Sequence, residues 1–105
     1  MVCRRLHAQG WVAACDGNVS LRTGKRILIT PGGRYKGLVR ADEIAEMDLD
    51  GRVLSGHPSS ERVMHLEIYR SCPEARAVVH AHPPFATAWT IAFPEADELP
   101  VGAVA

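Results

Sequence analysis

Turns rich in glycine and proline cut the first half of the chain into runs too short to be anything but hairpin strands. Asp16-Gly17-Asn18, Thr23-Gly24-Lys25, Pro31-Gly32-Gly33 and Asp50-Gly51 each carry residues that favour or tolerate turn backbone. Between them lie Val19-Ser20-Leu21-Arg22 and Arg26-Ile27-Leu28-Ile29-Thr30, two runs of strand composition joined through Thr23-Gly24-Lys25. That spacing predicts a β-hairpin. Pro31 removes a ladder donor and the glycines after it admit positive φ, so the second strand stops there with its backbone exposed. After a short helical turn at Ala41-Asp42-Glu43-Ile44, Glu46-Met47-Asp48-Leu49 and Arg52-Val53-Leu54 flank Asp50-Gly51 and predict a second hairpin.

The rest of the chain reads as helices and one further strand. Val2 and Leu6 fall at helical spacing, with Gly10 where a C-terminal capping glycine stands. Glu61 to Arg70 is the best-defined helix: Met64 and Ile68 share a face, Ser59 and Ser60 offer N-caps, and Arg70 suits the last turn. Ala75 to His82 is a short β-branched strand, and Pro83-Pro84 opens a helix that runs through Phe93. The stretch from Phe85 to Phe93 is the most apolar of the chain and is expected to be a buried helix, with Trp11 and Trp89 in the core. It falls far short of the roughly 20 residues that cross a bilayer. Helices alternating with hairpins predict a sheet with helices packed on its faces, in the α/β or α+β class.

A length of 105 residues suits one modest domain spanning 1–105. With 12 basic and 12 acidic residues the formal net charge is +0, so no nucleic-acid or anionic-membrane partner is expected and any anion must be held locally. Cys3, Cys15 and Cys72 are odd in number and irregularly spaced, which fits thiols in a reducing compartment, and no apolar stretch follows Arg4-Arg5 as in a signal peptide. The expected location is the cytoplasm. Glu95-Ala96-Asp97-Glu98 is most simply a solvated acidic loop.

The chemistry-bearing residues are few. In Val78-Val79-His80-Ala81-His82 the histidines are two apart, and alternation along a strand sends both imidazoles to one side. Such a pair suits Zn²⁺, whose catalytic sites hold three protein ligands and leave a position open, although a polar strand end with two half-exposed histidines has the same pattern. Ser59-Ser60-Glu61 places hydroxyls, backbone donors and a carboxylate at a helix start, an anion-friendly corner that is also an ordinary N-cap. Gly17-Asn18 and Gly32-Gly33 are further corners able to present N–H groups to an anion. Together with the histidines they suit a phosphorylated, metal-chelating substrate. His65 shares a helix face with Glu61 and is expected to be a half-buried packing residue, while His7 and His57 are expected at the surface.

The ordered series Asp16-Gly17-Asn18-Val19-Ser20, Ile29-Thr30-Pro31-Gly32-Gly33, Lys36-Gly37, Asp48-Leu49-Asp50-Gly51, Pro58-Ser59-Ser60-Glu61, His65, Ile68-Tyr69 and Val79-His80-Ala81-His82-Pro83 resembles the class II aldolase/adducin family over nearly the whole chain. The resemblance implies a three-layer α/β/α sandwich around a largely antiparallel sheet, in a homotetramer with active sites between subunits. It implies that His80 and His82 are two of three zinc histidines and that Glu61 is the catalytic acid/base. Gly17, Asn18, Gly32, Gly33, Ser59 and Ser60 then form the phosphate cradle, with Gly32 standing where the family usually has Ser or Thr. The implied reaction is retro-aldol cleavage of a ketose 1-phosphate such as L-fuculose 1-phosphate, with zinc as Lewis acid and Glu61 moving the protons. The family's third zinc histidine lies downstream of the second, and no histidine follows His82 here, so the chain resembles an N-terminal portion whose own activity is in doubt. A dehydratase or decarboxylase of a sugar phosphate, and a non-catalytic interaction module like the adducin head, share the scaffold.

Overall fold

The structure, a computed structural model, describes residues 2–12, 17–34 and 36–95. Cys15, the Asp16 end of the first turn and residues 96–98 of the acidic run lie outside them. The elements in chain order are α1 (Val2–Ala8), β1 (Asn18–Thr23), β2 (Arg26–Ile29), single 3₁₀ turns at Lys36–Leu38 and Ala41–Glu43, β3 (Ala45–Asp48), β4 (Val53–Ser55), α2 (Arg62–Ser71), β5 (Ala77–His80) and α3 (Pro84–Ala92). The strands form one sheet in the order β4-β3-β2-β1-β5, with every neighbouring pair antiparallel. Both predicted hairpins are present. Gly24 (φ +59°) and Gly51 (φ +92°) hold their turns in the left-handed region, and the Asp48 carboxylate accepts from the Asp50 and Arg52 N–H groups across the second.

The register decides which side chains share a face. Ser20 lies opposite Ile29 and Val78, Ile29 opposite Ala45, and Ile27 opposite Met47, so these residues form one continuous surface. Leu66 and Tyr69 of α2 close over it, and the resulting core of Ile27, Ile29, Ala45, Met47, Leu66, Tyr69 and Val78 is flanked by Leu49 and Ala75. The other face carries Val19, Leu21 and Leu28, which meet Val2, Cys3 and Arg4 of α1 across an apolar groove of about 370 Å³. A largely antiparallel sheet with helices on both faces is the three-layer α/β/α arrangement.

Several local expectations are corrected. α2 buries His65, Leu66 and Tyr69, whereas Met64 is half-buried and Ile68 lies at the surface, so the inward stripe is centred on a histidine. Neither serine caps α2. Glu61 occupies the N-cap position without a side-chain bond of its own, and the Ser59 hydroxyl accepts from the Glu61 N–H one step earlier. β5 stops at His80 rather than His82. α3 has no buried residue, with Phe85 92% and Ile91 77% exposed; it is an apolar helix with its surface uncovered, not a buried one. Trp11 is exposed, and Trp89 packs on Phe93, the residue just past the end of its helix, at 4.2 Å between ring centroids instead of entering the core.

Candidate metal and anion site

One end of the sheet gathers the corners that the sequence singled out. Thr30 leaves β2 with its N–H on the Val19 carbonyl (3.0 Å) and its hydroxyl accepting from the Val19 N–H (3.1 Å), which welds the start of β1 to the end of β2. Beyond it, Pro31 bridges Pro58, the Gly32 N–H reaches the His57 carbonyl (3.1 Å) and the Ser59 N–H reaches the Thr30 carbonyl (3.0 Å). The Pro31-Gly32-Gly33 corner and the Pro58-Ser59-Ser60 corner therefore run side by side into the start of α2. Among the described residues no hydrogen bond uses the N–H of Gly33 or Ser60. Backbone donors of this kind, in a turn and before a helix start, are what an anion needs.

Gly17 and Asn18 complete this end from β1. A side chain at Gly17 would place its Cβ 2.5 Å from Val12 Cγ1 and 2.8 Å from the His80 carbonyl oxygen, and φ there is +76°, so only glycine fits. Asn18 pairs in register with His80, which puts the amide corner directly beside the first histidine of the H-x-H segment.

Although His82 lies beyond the strand, the two imidazoles stay together, with ring centroids 4.9 Å apart. The chain after β5 is held by the His82 N–H, which donates to the Trp11 carbonyl at 2.6 Å. His80 Nδ1 is buried and has no hydrogen-bond partner among the described residues, a costly state for a polar nitrogen unless something coordinates or bonds it. That donor set fits a borderline divalent metal. Among the described residues no third His, Cys, Asp or Glu joins the pair to make a group of three.

His65 is the site residue that sequence reasoning undervalued. It is fully buried, not half-buried, and both ring nitrogens are engaged: Nδ1 with the Ser20 hydroxyl at 2.6 Å, and Nε2 with Asn18 Oδ1. Ser20 Oγ also meets the Tyr69 hydroxyl at 2.8 Å. With both nitrogens occupied, His65 is not a metal ligand. Burial holds its pKa below the ordinary 6.5, repulsion from His80 adds to the effect, and the Glu61 carboxylate opposes it. Burial likewise raises the Tyr69 phenol, against the Ser20 hydrogen bond and the Arg22 charge. Both groups are neutral at physiological pH. Their pattern was visible as polar residues two apart on β1 and four apart on α2, each facing inward among apolar neighbours. Glu61 stands exposed at the head of α2, near enough to His65 to be felt electrostatically. His7 and His57 are at the surface as expected, the His7 ring lying against Gly37.

Residues 1–103 match the Class II Aldolase and Adducin N-terminal domain. The chain is 44% identical over 81 residues to an L-fuculose phosphate aldolase of Methanocaldococcus jannaschii, covering 77% of this chain and 45% of that protein. It is 48% identical over 86 residues to a methylthioribulose-1-phosphate dehydratase of Methylococcus capsulatus, covering 80% and 42%. The crystal structure of L-fuculose-1-phosphate aldolase from Thermus thermophilus superposes with a TM-score of 0.77 at 40% identity, covering 86% of this chain and 47% of that one. The chain thus spans about half the length of the relatives it matches. Over that span, in sequence and in fold, it belongs to the class II aldolase and adducin N-terminal domain family.

Proposed function

We propose that the chain forms the metal- and phosphate-binding part of a zinc-dependent sugar-phosphate lyase, an aldolase that cleaves a ketose 1-phosphate to glycerone phosphate and an aldehyde. The observation that carries this reading is the buried, unpartnered Nδ1 of His80 beside the His82 ring, at the same sheet end as the donor-rich corners. His80 and His82 would hold the zinc ion, which when bound supplies a Lewis acid toward the substrate's carbonyl and hydroxyl oxygens. The N–H groups of Gly33 and Ser60, the Ser59 and Ser60 side chains and the Asn18 amide receive the phosphate, with Gly17 and Gly32 letting the backbone approach it. Glu61, exposed at the head of α2, takes the proton from the substrate hydroxyl and returns it to the carbon left by bond cleavage. The active oligomer in this reading is a cytoplasmic homotetramer.

A second reading keeps the same site. The 48% identity to the Methylococcus protein, named for dehydration of methylthioribulose 1-phosphate, favours a dehydratase that binds a ketose 1-phosphate in the same cradle. Incubating the zinc-loaded protein, extended to its relatives' full length, with each of the two ketose phosphates distinguishes them. Release of glycerone phosphate from L-fuculose 1-phosphate supports the aldolase, and loss of water from methylthioribulose 1-phosphate the dehydratase. Glu61→Gln is expected to keep zinc and lose most turnover under either reading; wild-type kcat in that variant would remove Glu61 from its role.

A further inference from the structure

We infer that Ser20 and His65, in a buried hydrogen-bond relay that Tyr69 extends without setting its direction, fix which way the Asn18 amide faces, and so act as positioning residues for anion binding. The inference rests on the proposed cradle in so far as Asn18 belongs to it. The relay consists of the Tyr69 hydroxyl on Ser20 Oγ (2.8 Å), Ser20 Oγ on His65 Nδ1 (2.6 Å) and His65 Nε2 on Asn18 Oδ1. His65, Ser20, Tyr69 and Asn18 are all buried, at 0%, 2%, 3% and 3% exposure, so water cannot substitute freely for a missing partner.

Each member has few choices. A neutral imidazole donates from one nitrogen and accepts at the other, and a hydroxyl donates once. Asn18 presents its oxygen to His65, so Nε2 must carry the proton and donate. Nδ1 is then an acceptor and takes the Ser20 proton. Ser20, having donated, receives the Tyr69 proton. The polarity runs from Tyr69 through Ser20 and His65 to Asn18. It leaves the Asn18 NH₂ turned away from His65, and no other hydrogen bond of that side chain occurs among the described residues.

The opposite polarity is also self-consistent: Asn18 would donate to Nε2, Nδ1 to Ser20 and Ser20 to Tyr69. It would present the Asn18 carbonyl oxygen to the anion and repel it. The two states differ in nothing but the direction of the hydrogens and a flip of one amide. Burial of His65 disfavours the doubly protonated ring that would blur them. A position that looks like core packing on α2 therefore decides whether Asn18 is a donor or an acceptor at the sheet end.

Nitrogen-15 spectroscopy of the imidazole reads the tautomer directly, and inorganic phosphate is the probe for the anion. The expected result is an Nε2–H tautomer for His65 and a shift of the Asn18 side-chain NH₂ resonances on adding phosphate. Tyr69→Phe leaves the Ser20 to His65 bond intact and should retain both tautomer and affinity. Ser20→Ala, which removes the only partner of Nδ1 among the described residues without touching the anion, should abolish the bias between the two tautomers, populate both, and weaken phosphate binding by about twofold as half the molecules turn the Asn18 oxygen to the anion. An Nδ1–H tautomer in the wild-type protein overturns the relay while leaving phosphate binding intact. So does wild-type phosphate affinity in Ser20→Ala. An Nε2–H tautomer with the Asn18 NH₂ unmoved by phosphate overturns the cradle reading and the purpose of the relay with it. Should Ser20→Ala fail to fold, the two wild-type measurements still decide.

Discussion

Gly32 is where a single substitution should add most to anion binding. A Cβ built there would lie 3.5 Å from the Pro58 carbonyl oxygen, 3.6 Å from Ser59 Cα and 3.9 Å from the Ser60 nitrogen, all ordinary contacts. Unlike Gly17, the position has room for a side chain, and a hydroxyl on it would join the Ser59 and Ser60 corner. Gly32→Ser is expected to fold normally and to tighten the phosphate dissociation constant by about tenfold, the range for one hydrogen bond to a charged acceptor. Calorimetric titration with phosphate checks it, and an unchanged constant would place the anion elsewhere. His65 supplies a second prediction at this scale. Its pKa is depressed below 6.5 in the folded chain, so as pH falls through that value the unfolded chain takes the proton first. The stability His65 contributes is therefore complete above pH 6.5 and is lost progressively below it, down to the folded-state pKa. Urea unfolding at about pH 7 and about pH 5 should show this loss, and His65→Gln should flatten it. An equal loss in the variant would assign the acid sensitivity to other groups.

Among the elements, α2 ties the site to the core, because one face carries Leu66 and Tyr69 into the apolar cluster and His65 into the polar one. Leu66→Ala should cost about 2–4 kcal/mol, since the side chain is nearly fully buried and the sheet beneath it cannot collapse into the gap. Chemical denaturation measures it, and a loss below about 1 kcal/mol would contradict the packing described. The hairpins were legible in the sequence because Gly24 and Gly51 set their turns through local backbone geometry. The inward face of α2 was not, since apolar spacing favoured Met64 and Ile68. His65 is accepted into the interior only because Asn18 and Ser20, more than forty positions away, satisfy its nitrogens (|i−j| of 47 and 45). α3 was misjudged for a related reason: its composition asks for burial, and what would cover Phe85 and Ile91 is not among the described residues. The convergence of Gly17-Asn18, Gly32-Gly33 and Ser59-Ser60 at one sheet end was likewise legible only as three separate corners, because strand register and the Pro31 to Pro58 bridge bring them together.

At the scale of the whole molecule, the sheet has one closed face and one open one. The α2 face is sealed, whereas on the other Leu21 and Val79 remain 47% and 53% exposed. The H-x-H pair sits at the end of β5, which pairs with β1 alone among the described strands. Among the described residues the three glycine- and serine-bearing corners meet at one sheet end, whereas the two imidazoles have no third His, Cys, Asp or Glu beside them. Two imidazoles hold zinc more weakly than the three protein ligands usual in catalytic sites. The most direct test of the histidine pair as the metal site is calorimetric zinc titration of the chain together with His80→Ala and His82→Ala. Measurable but weak binding to the wild-type chain is expected, lost in either variant, with both variants folded by circular dichroism. Unchanged zinc affinity in both variants would contradict it, by showing that the metal binds away from the histidine pair.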